Sequence, residues 1–213
     1  MRNIVKGPEP QSLKDHRRAA NADYDNYTAK QDLRQAIVRE QRGLCCYCMS
    51  RISADRDRVK IEHWQSQATF PEHQMVYANL LGACPGGEGN PDHQQHCDTR
   101  KGKSLLSMNP ADPAHDVERT LLFDRDGTIR SSDPAFDCEI NEVLNLNGAP
   151  RLKANRKAVL TGFLRAKPKD GKWKESQVRK WLAEWNGEST EGDLKPYCQV
   201  AVYWLRKRLD KNL

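Results

Sequence analysis

The sequence Cys45-Cys46-Tyr47-Cys48 contains a C-x-x-C pair and decides the fold of the chain around it. At this spacing, two thiolates from one tight turn can bind a single tetrahedral Zn²⁺. Cys84 and Cys97 follow at a distance suited to a second ligand pair, with twelve residues between them. A loop of that length is acceptable because the entropic cost of loop closure grows only slowly with loop size.

One structural zinc is therefore predicted, with these four ligands: Cys45, Cys48, Cys84 and Cys97. Three further side chains are alternative zinc ligands, any of which could replace one of these four: Cys46, His93 and His96. The chain from Leu44 to Lys103 has only short apolar pieces and no long helical period. A segment of this kind cannot build a large core alone, so a bound metal would supply the missing stability.

The chain has 213 residues, enough for one large domain or two small ones. No stretch approaches the roughly 18 apolar residues of a spanning helix, so we expect no membrane insertion. Residues 1–8 lack the apolar run of a signal peptide, which favours a cytoplasmic protein. In a reducing compartment, clustered cysteines are metal ligands more often than disulfides.

We expect three regions along the chain: an N-terminal arm and helix (1–43), a zinc-stapled core (44–110), and a β-hairpin followed by a basic helical part (111–213). Residues 1–16 are polar and are predicted to form an arm that does not pack on the domain. Residues 28–42 have the apolar spacing of a helix, with Thr28 as its N-cap and Gly43 as its stop.

The C-terminal region is predicted to begin with a β-hairpin over residues 119–130. Three helices are predicted to follow, over residues 150–166, 174–186 and 196–210. Tryptophans in this region recur at helical spacing, which favours packing in the core over stacking on nucleic acid bases.

Charge is unevenly distributed along the chain. Residues 1–150 carry 19 Lys and Arg against 22 Asp and Glu, whereas residues 151–213 carry 16 against 7. The basic C-terminal third indicates a polyanionic partner, and a solvated helical surface is an equally weighted alternative.

Further chemistry-bearing residues lie between and after the cysteine pairs, in the order Glu62-His63, Asn79 and Cys97-Asp98. With the cysteines, this order resembles the zinc-ribbon branch of the HNH (ββα-metal) nucleases. The resemblance implies an α+β fold in which a ββα-metal core surrounds one zinc, with helices at both ends.

The resemblance also implies residue roles. His63 would be the general base, Glu62 and Asp98 would bind a catalytic Mg²⁺ or Mn²⁺, and Asn79 would brace the loop that carries the histidine. A neutral imidazole can accept a proton from water at about pH 7, and hard carboxylate oxygens suit these cations. Three basic residues would hold the nucleic acid backbone: Arg100, Lys101 and Lys103.

A narrower resemblance covers most of the chain. Residues 1–6, 41–48, 62–63, 97–102 and 143–147 together look like the PtuB-type HNH proteins of Septu antiphage defence, which also occur beside reverse transcriptases in some retrons. This resemblance implies a PtuA-like ATPase partner of the SMC/ABC type and cleavage of nucleic acid on infection. DNA and tRNA are both open as the target. Residues 1–16 and 168–213 are the expected docking surfaces for the ATPase.

A second hypothesis is a zinc-stapled module that binds nucleic acid or docks a partner without chemistry. Glu62 stands where the HNH pattern more often has Asp, and Asp98 stands where it more often has Asn or His. These departures and the basic C-terminal helices favour the alternative. Cleavage of nucleic acid that a chelator abolishes would exclude it.

Overall fold

The computed structural model describes residues 1–165, 173–188 and 192–210. The architecture is α+β, as predicted, with two small antiparallel sheets among the helices of the described chain. The helices are α1 (Gln11–Arg17), α2 (Lys30–Glu40), α3 (Cys97–Lys101), α4 (Val117–Thr120), α5 (Pro134–Glu142), α6 (Pro150–Arg165), α7 (Glu175–Asn186) and α8 (Cys198–Asp210). The strands are β1 (Lys60–His63), β2 (Leu80–Ala83), β3 (Leu121–Phe123) and β4 (Ile129–Ser131).

Strands β1 and β2 form the central antiparallel pair. Lys60 lies opposite Ala83 and His63 lies opposite Leu80, so the pair ends beside the histidine. All four residues of β2 are buried. The segment between the two strands contains two short 3₁₀ turns, and the chain after β2 runs through a loop into α3.

Helix α2 is fixed against β2 by a buried glutamine. The Gln41 side-chain amide donates to the carbonyl oxygens of Leu44 and Gly82, at 2.8 Å each. The Gly82 N–H donates to Gln41 Oε1 at 2.6 Å. The amide thus pairs the Gly82 N–H in the interior and shares the Gly82 carbonyl oxygen with the Cys46 N–H.

The C-terminal region combines the β3–β4 hairpin with helices α5 to α8, as predicted for the hairpin and for three of the four helices. Arg156 on α6 is fully buried and donates to the carbonyl oxygens of Gly127 and Leu146, at 2.6 and 2.8 Å. These bonds hold the hairpin turn against the helix. Ala166, the last residue of the predicted 150–166 helix, lies outside the described residues.

Helix α2 is confirmed, but its predicted N-cap is wrong. Ala29 precedes the first helical residue, and no side chain caps that end. Gly43 is the predicted stop: it has a φ of +70°, and its N–H donates to the Val38 carbonyl oxygen. Glycine adopts a positive φ without steric cost, which explains why the helix ends there.

The prediction that residues 1–16 do not pack on the domain is wrong. Met1 and Leu13 have no exposed surface, and Leu13 lies on α1. The Ile4 N–H donates to the Pro110 carbonyl oxygen, and the Lys6 ammonium pairs with Glu40. The segment is polar in composition, but Met1 and Leu13 are buried in the core, whereas Val5 is exposed.

One buried apolar cluster includes residues from all three predicted regions. Met1, Leu81 and Leu205 all belong to it, and the four cysteines predicted to bind zinc lie within it. A smaller cluster joins α1, α2 and the segment before β2, through Leu13, Leu33 and others. In the part of the chain that the structure describes, no helix is long and apolar enough to cross a membrane.

Candidate metal centre and active site

Four buried cysteines converge at one point, and they are the four predicted from the sequence. The Sγ atoms of Cys45, Cys48, Cys84 and Cys97 all lie within 4.8 Å of one another. Cys45 Sγ is 3.9 Å from Cys97 Sγ, and Cys48 Sγ is 3.7 Å from Cys84 Sγ. Tetrahedral Zn²⁺ with Zn–S bonds of about 2.3 Å places neighbouring sulfurs about 3.8 Å apart. The cluster therefore has the geometry to hold a metal such as zinc.

These distances exclude disulfide bonds, because bonded sulfurs lie about 2.05 Å apart. The turn that carries Cys45 and Cys48 is closed by bonds from the Met49 N–H to the Cys45 carbonyl and from the Cys45 N–H to the Ser50 carbonyl. Met49 has a φ of +65°, a tight conformation that points both thiols to one side of the turn.

Two backbone N–H groups point at sulfur. The Cys84 N–H lies 3.2 Å from Cys45 Sγ, and the Ser50 N–H lies 3.4 Å from Cys48 Sγ. Hydrogen bonds of this kind stabilise the negative charge of a thiolate and orient metal ligands. The surroundings of the sulfurs thus suit a deprotonated ligand set.

The substitute ligands lie outside this group. Cys46 is buried and its N–H donates to the Gly82 carbonyl, but its sulfur is not a member of the cluster. His96 lies at the edge, with Nδ1 3.1 Å from Cys97 Sγ, and His93 is exposed. Within the described ranges, the four cysteines are the only group of three or more Cys, His, Asp and Glu side chains arranged to hold a metal.

His63 ends β1 and is held in one orientation. Its Nε2 lies 3.1 Å from the carbonyl oxygen of Gln74, which can only accept a hydrogen bond. The proton is therefore on Nε2, and the lone pair of the neutral ring is on Nδ1. The Tyr24 ring packs edge-on against the imidazole, with 4.4 Å between ring centroids. Burial lowers the pKa of His63 below its ordinary value, so the ring is neutral near pH 7.

Glu62 precedes His63 and points to the opposite side of the strand, where it is buried. Lys101 Nζ lies 2.9 Å from Glu62 Oε1, and the Tyr47 hydroxyl donates to the same oxygen at 2.7 Å. Burial and the neighbouring Asp98 carboxylate raise the pKa of Glu62 well above its ordinary range, and the Lys101 charge opposes them. Glu62 and Asp98 thus form a carboxylate pair.

Asp98 stands at the start of α3 and is partly exposed. Its Oδ2 lies 3.9 Å from Lys60 Nζ, and that ammonium also pairs with Glu88 at 3.0 Å. Asp98 therefore offers an oxygen at the surface side of the pair, whereas the Glu62 carboxylate lies beneath it.

Asn79 holds the loop after His63 at three points. Its Oδ1 accepts from the Gln65 N–H at 2.7 Å, and its Nδ2 donates to the carbonyl oxygens of Gln65 and His73, at 3.0 and 3.1 Å. Because Gln74 follows His73 and accepts from the imidazole, these bonds also set the position of the acceptor for His63.

The three residues predicted to bind the nucleic acid backbone differ in their exposure to solvent. Arg100 and Lys103 are exposed, but Lys101 is 1% exposed and directed inward. The prediction that Lys101 contacts a nucleic acid backbone is wrong for this structure, because its ammonium pairs with Glu62 and donates to the His63 carbonyl oxygen at 3.2 Å. A buried cation of this kind compensates an interior carboxylate.

Tyr24 and Tyr47 contact the site and were not predicted. Tyr47 lies inside the C-x-x-C turn, so its proximity follows once that turn and β1 are packed together. Tyr24 comes from a segment with no motif and reaches His63 only through tertiary packing.

Comparison with known proteins does not extend this description. No protein-family model matches the chain, and a search of curated proteins finds no match to it.

Proposed function

We propose that this chain is a metal-dependent endonuclease of the HNH type that hydrolyses phosphodiester bonds in nucleic acid. The observation that carries the proposal is the state of His63: its Nε2 is tied to the Gln74 carbonyl, its Nδ1 holds the lone pair, and burial keeps the ring neutral. This is the arrangement that a general base for water requires.

The order of elements supports the same conclusion. An antiparallel pair, β1 and β2, is followed by the short helix α3, and a four-cysteine cluster lies next to them. The HNH resemblance of the sequence implies a ββα-metal core with a zinc ribbon. We assign β1, β2 and α3 to that core.

In the proposed reaction, His63 Nδ1 accepts a proton from the attacking water. Donation from Nε2–H to Gln74 keeps the ring oriented, and stabilises the imidazolium that forms. Burial holds the pKa of the ring below its ordinary value, so the base is free to accept a proton at neutral pH.

We assign a catalytic divalent cation to the carboxylates of Glu62 and Asp98. Two adjacent carboxylates, Glu62 and Asp98, are the ligands through which Mg²⁺ is commonly held in proteins, with water completing its shell. Bound there, Mg²⁺ or Mn²⁺ would neutralise charge on the phosphate and on the leaving oxygen. Lys101 balances part of the charge of the pair, and Asn79 keeps the His63 loop in place.

We assign the four-cysteine cluster to structural zinc. All four ligands are buried protein thiols, so no position remains open for substrate. Zinc would fasten the Cys45–Cys48 turn to the end of β2 and the start of α3. Thiolate ligands persist in a reducing compartment, and we therefore place the activity in the cytoplasm.

The test is cleavage of supercoiled plasmid and of unfractionated tRNA with Mg²⁺ or Mn²⁺, comparing the wild type with His63→Ala. We expect cleavage that a chelator abolishes and that the variant lacks, while its zinc content and thermal unfolding match the wild type. The substrate that is cut distinguishes DNA from tRNA. Cleavage unchanged in His63→Ala would refute the assignment, and binding without cleavage would favour the non-catalytic module.

We further propose that the nuclease acts as the effector of an antiphage defence system with a PtuA-like SMC/ABC-type ATPase, with or without a retron reverse transcriptase. The Septu resemblance of the sequence supports this partner. Residues 1–16 are packed into the fold, so deleting them would disturb the core as well as any docking surface. Substitution of exposed Val5 by Glu is the sharper test. Unchanged co-purification of that variant with the ATPase would argue against docking at this segment.

A further inference from the structure

A cleft of about 630 Å³ opens beside the candidate active site, and neither Arg100 nor Lys103 lines it. We call it the α2 cleft; the side chains that matter for the argument are Tyr24, Arg34, Arg56, Lys60 and Asp98. Tyr24 also packs on His63, so one wall of the cleft touches the imidazole. Asp98 belongs to the carboxylate pair, so another wall is the candidate cation site.

Arg34 in this cleft has an unused donor. Its Nε is buried without a hydrogen-bond partner, and the guanidinium forms no ion pair with any residue that the structure describes. Nε itself is closed to solvent, so a phosphate in the open cleft would bind the terminal Nη groups of this partly exposed side chain. The position of Arg34 on α2 is fixed because that helix is clamped to β2 through Gln41.

The other charges of the cleft are already compensated in part. Glu88 and Asp98 share the Lys60 ammonium, at 3.0 and 3.9 Å. Asp57 is exposed. Arg34 and Arg56 are the two guanidinium groups of the cleft, and neither pairs with a carboxylate in the described chain. A planar guanidinium is the side chain best matched to two oxygens of one phosphate.

We propose that Arg34, assisted by Arg56, binds a backbone phosphate of the substrate next to the phosphodiester bond that faces His63. The substrate strand then runs along α2 and over Tyr24, and not along the exposed side of α3. This inference rests on the proposed nuclease function, because it assigns the path of the substrate into the same site.

The test measures binding separately from cleavage. Full-length protein carrying His63→Ala, with or without Arg34→Gln, is titrated against a short labelled DNA duplex and against labelled unfractionated tRNA over a series of salt concentrations. Arg39→Gln is the matched control, because it removes the same charge from an exposed position of the same helix that does not line the cleft. Unfolding curves establish that each variant is folded.

We expect Arg34→Gln to weaken binding about tenfold on the preferred probe and to reduce the slope of log K against log salt by about 0.9 for duplex DNA, the value of one phosphate contact. Arg34→Lys keeps the positive charge but loses the planar guanidinium that can bind two oxygens of one phosphate. It should therefore weaken binding less than Arg34→Gln does. Arg39→Gln should leave both quantities unchanged. Equal losses in Arg34→Gln and Arg39→Gln, or no loss in either, would overturn the proposal.

The two hypotheses fail in different ways. If the wild type cleaves and Arg34→Gln binds as its parent does, the nuclease assignment stands and the phosphate site is wrong. If the wild type never cleaves but Arg34→Gln loses a phosphate contact, the α2 cleft binds nucleic acid and the catalytic assignment is wrong.

Discussion

The ammonium of Lys101 lies 2.9 Å from Glu62 Oε1, and both side chains are buried. The pair joins α3 to β1 directly beneath the partly exposed Asp98 carboxylate. Charged groups in the interior lose their hydration, so each member of the pair depends on the other. The same contact explains why Lys101, one of the three basic residues predicted to bind nucleic acid, is absent from the surface.

Lys101→Met is expected to lower the free energy of unfolding by about 3–5 kcal/mol, the usual cost of leaving a buried charge without its partner. Urea denaturation at neutral pH measures the loss. Lys103→Met, at an exposed position, is the control and should be close to neutral.

The pH dependence of that loss follows from Glu62. Burial already raises the pKa of this carboxyl, and removing Lys101 raises it further. A carboxyl with a raised folded-state pKa destabilises the protein increasingly as pH rises above its unfolded value. The Lys101→Met deficit should therefore shrink at acid pH, where Glu62 is neutral. A deficit independent of pH would contradict this account.

The pH profile of cleavage should reflect His63. The base acts in its neutral form, and burial lowers the pKa of the ring below 6.5. The midpoint of the fall in cleavage rate on the acid side should therefore lie below pH 6.5. Initial rates on the cleaved substrate, measured at constant ionic strength and cation concentration, locate this acid limb.

Tyr24→Ser provides the comparison for that profile. Removing the ring that packs on His63 lets water reach the imidazole, so its pKa should rise toward the ordinary value. The acid limb should then move to higher pH. A wild-type limb centred at or above pH 6.5 would be incompatible with a buried base.

The four-cysteine cluster should bind one zinc ion per chain. Cys84→Ser is expected to lose that zinc and cooperative thermal unfolding together, since metal binding and folding are coupled in such sites. Cys46→Ser and Cys138→Ser should keep the metal, because neither sulfur belongs to the cluster. Zinc analysis and thermal unfolding of the three variants measure this. Retention of zinc by Cys84→Ser would point to His96 as a ligand instead.

The N-terminal segment should contribute to stability. Leu13 is fully buried in the cluster formed with α2, so Leu13→Ala should cost about 2–5 kcal/mol of unfolding free energy. Val5→Ala is the matched control in the same segment, because Val5 is 85% exposed. Urea denaturation of both variants tests the difference, and equal curves would mean that the segment detaches in solution.

Local features of the fold were predictable because their causes are local. The turn Asp124–Gly127 between Leu121-Leu122-Phe123 and Thr128-Ile129-Arg130 predicts the β3–β4 hairpin, and helical spacing predicts α2, α6, α7 and α8. Helix α5 was missed although Asp133 and Pro134 are typical helix-start residues; the Asp133 side chain accepts from the Phe136 N–H.

Non-local packing accounts for most of what the sequence left open. The first residues are buried by partners such as Glu40 and Pro110, far along the chain, and no spacing rule identifies them. The inward direction of Lys101 could have been foreseen in part. Asp98 and Lys101 are three residues apart on α3, so a helix that turns Asp98 toward Glu62 turns Lys101 the same way.

The Gln41 side-chain amide bonds to the N–H and the carbonyl oxygen of Gly82, as a residue of a third strand beside β2 would. Helix α2, which forms a wall of the α2 cleft, and the strand pair are therefore held together, and separating them would break two buried hydrogen bonds at once. If a bulky duplex widens the opening to reach the imidazole, we expect the displacement to fall on Arg56 and Asp57, exposed residues that line the cleft outside this hydrogen-bonded unit. Substrate entry would then displace the segment of Arg56 and Asp57, while α2, β1 and β2 keep their positions.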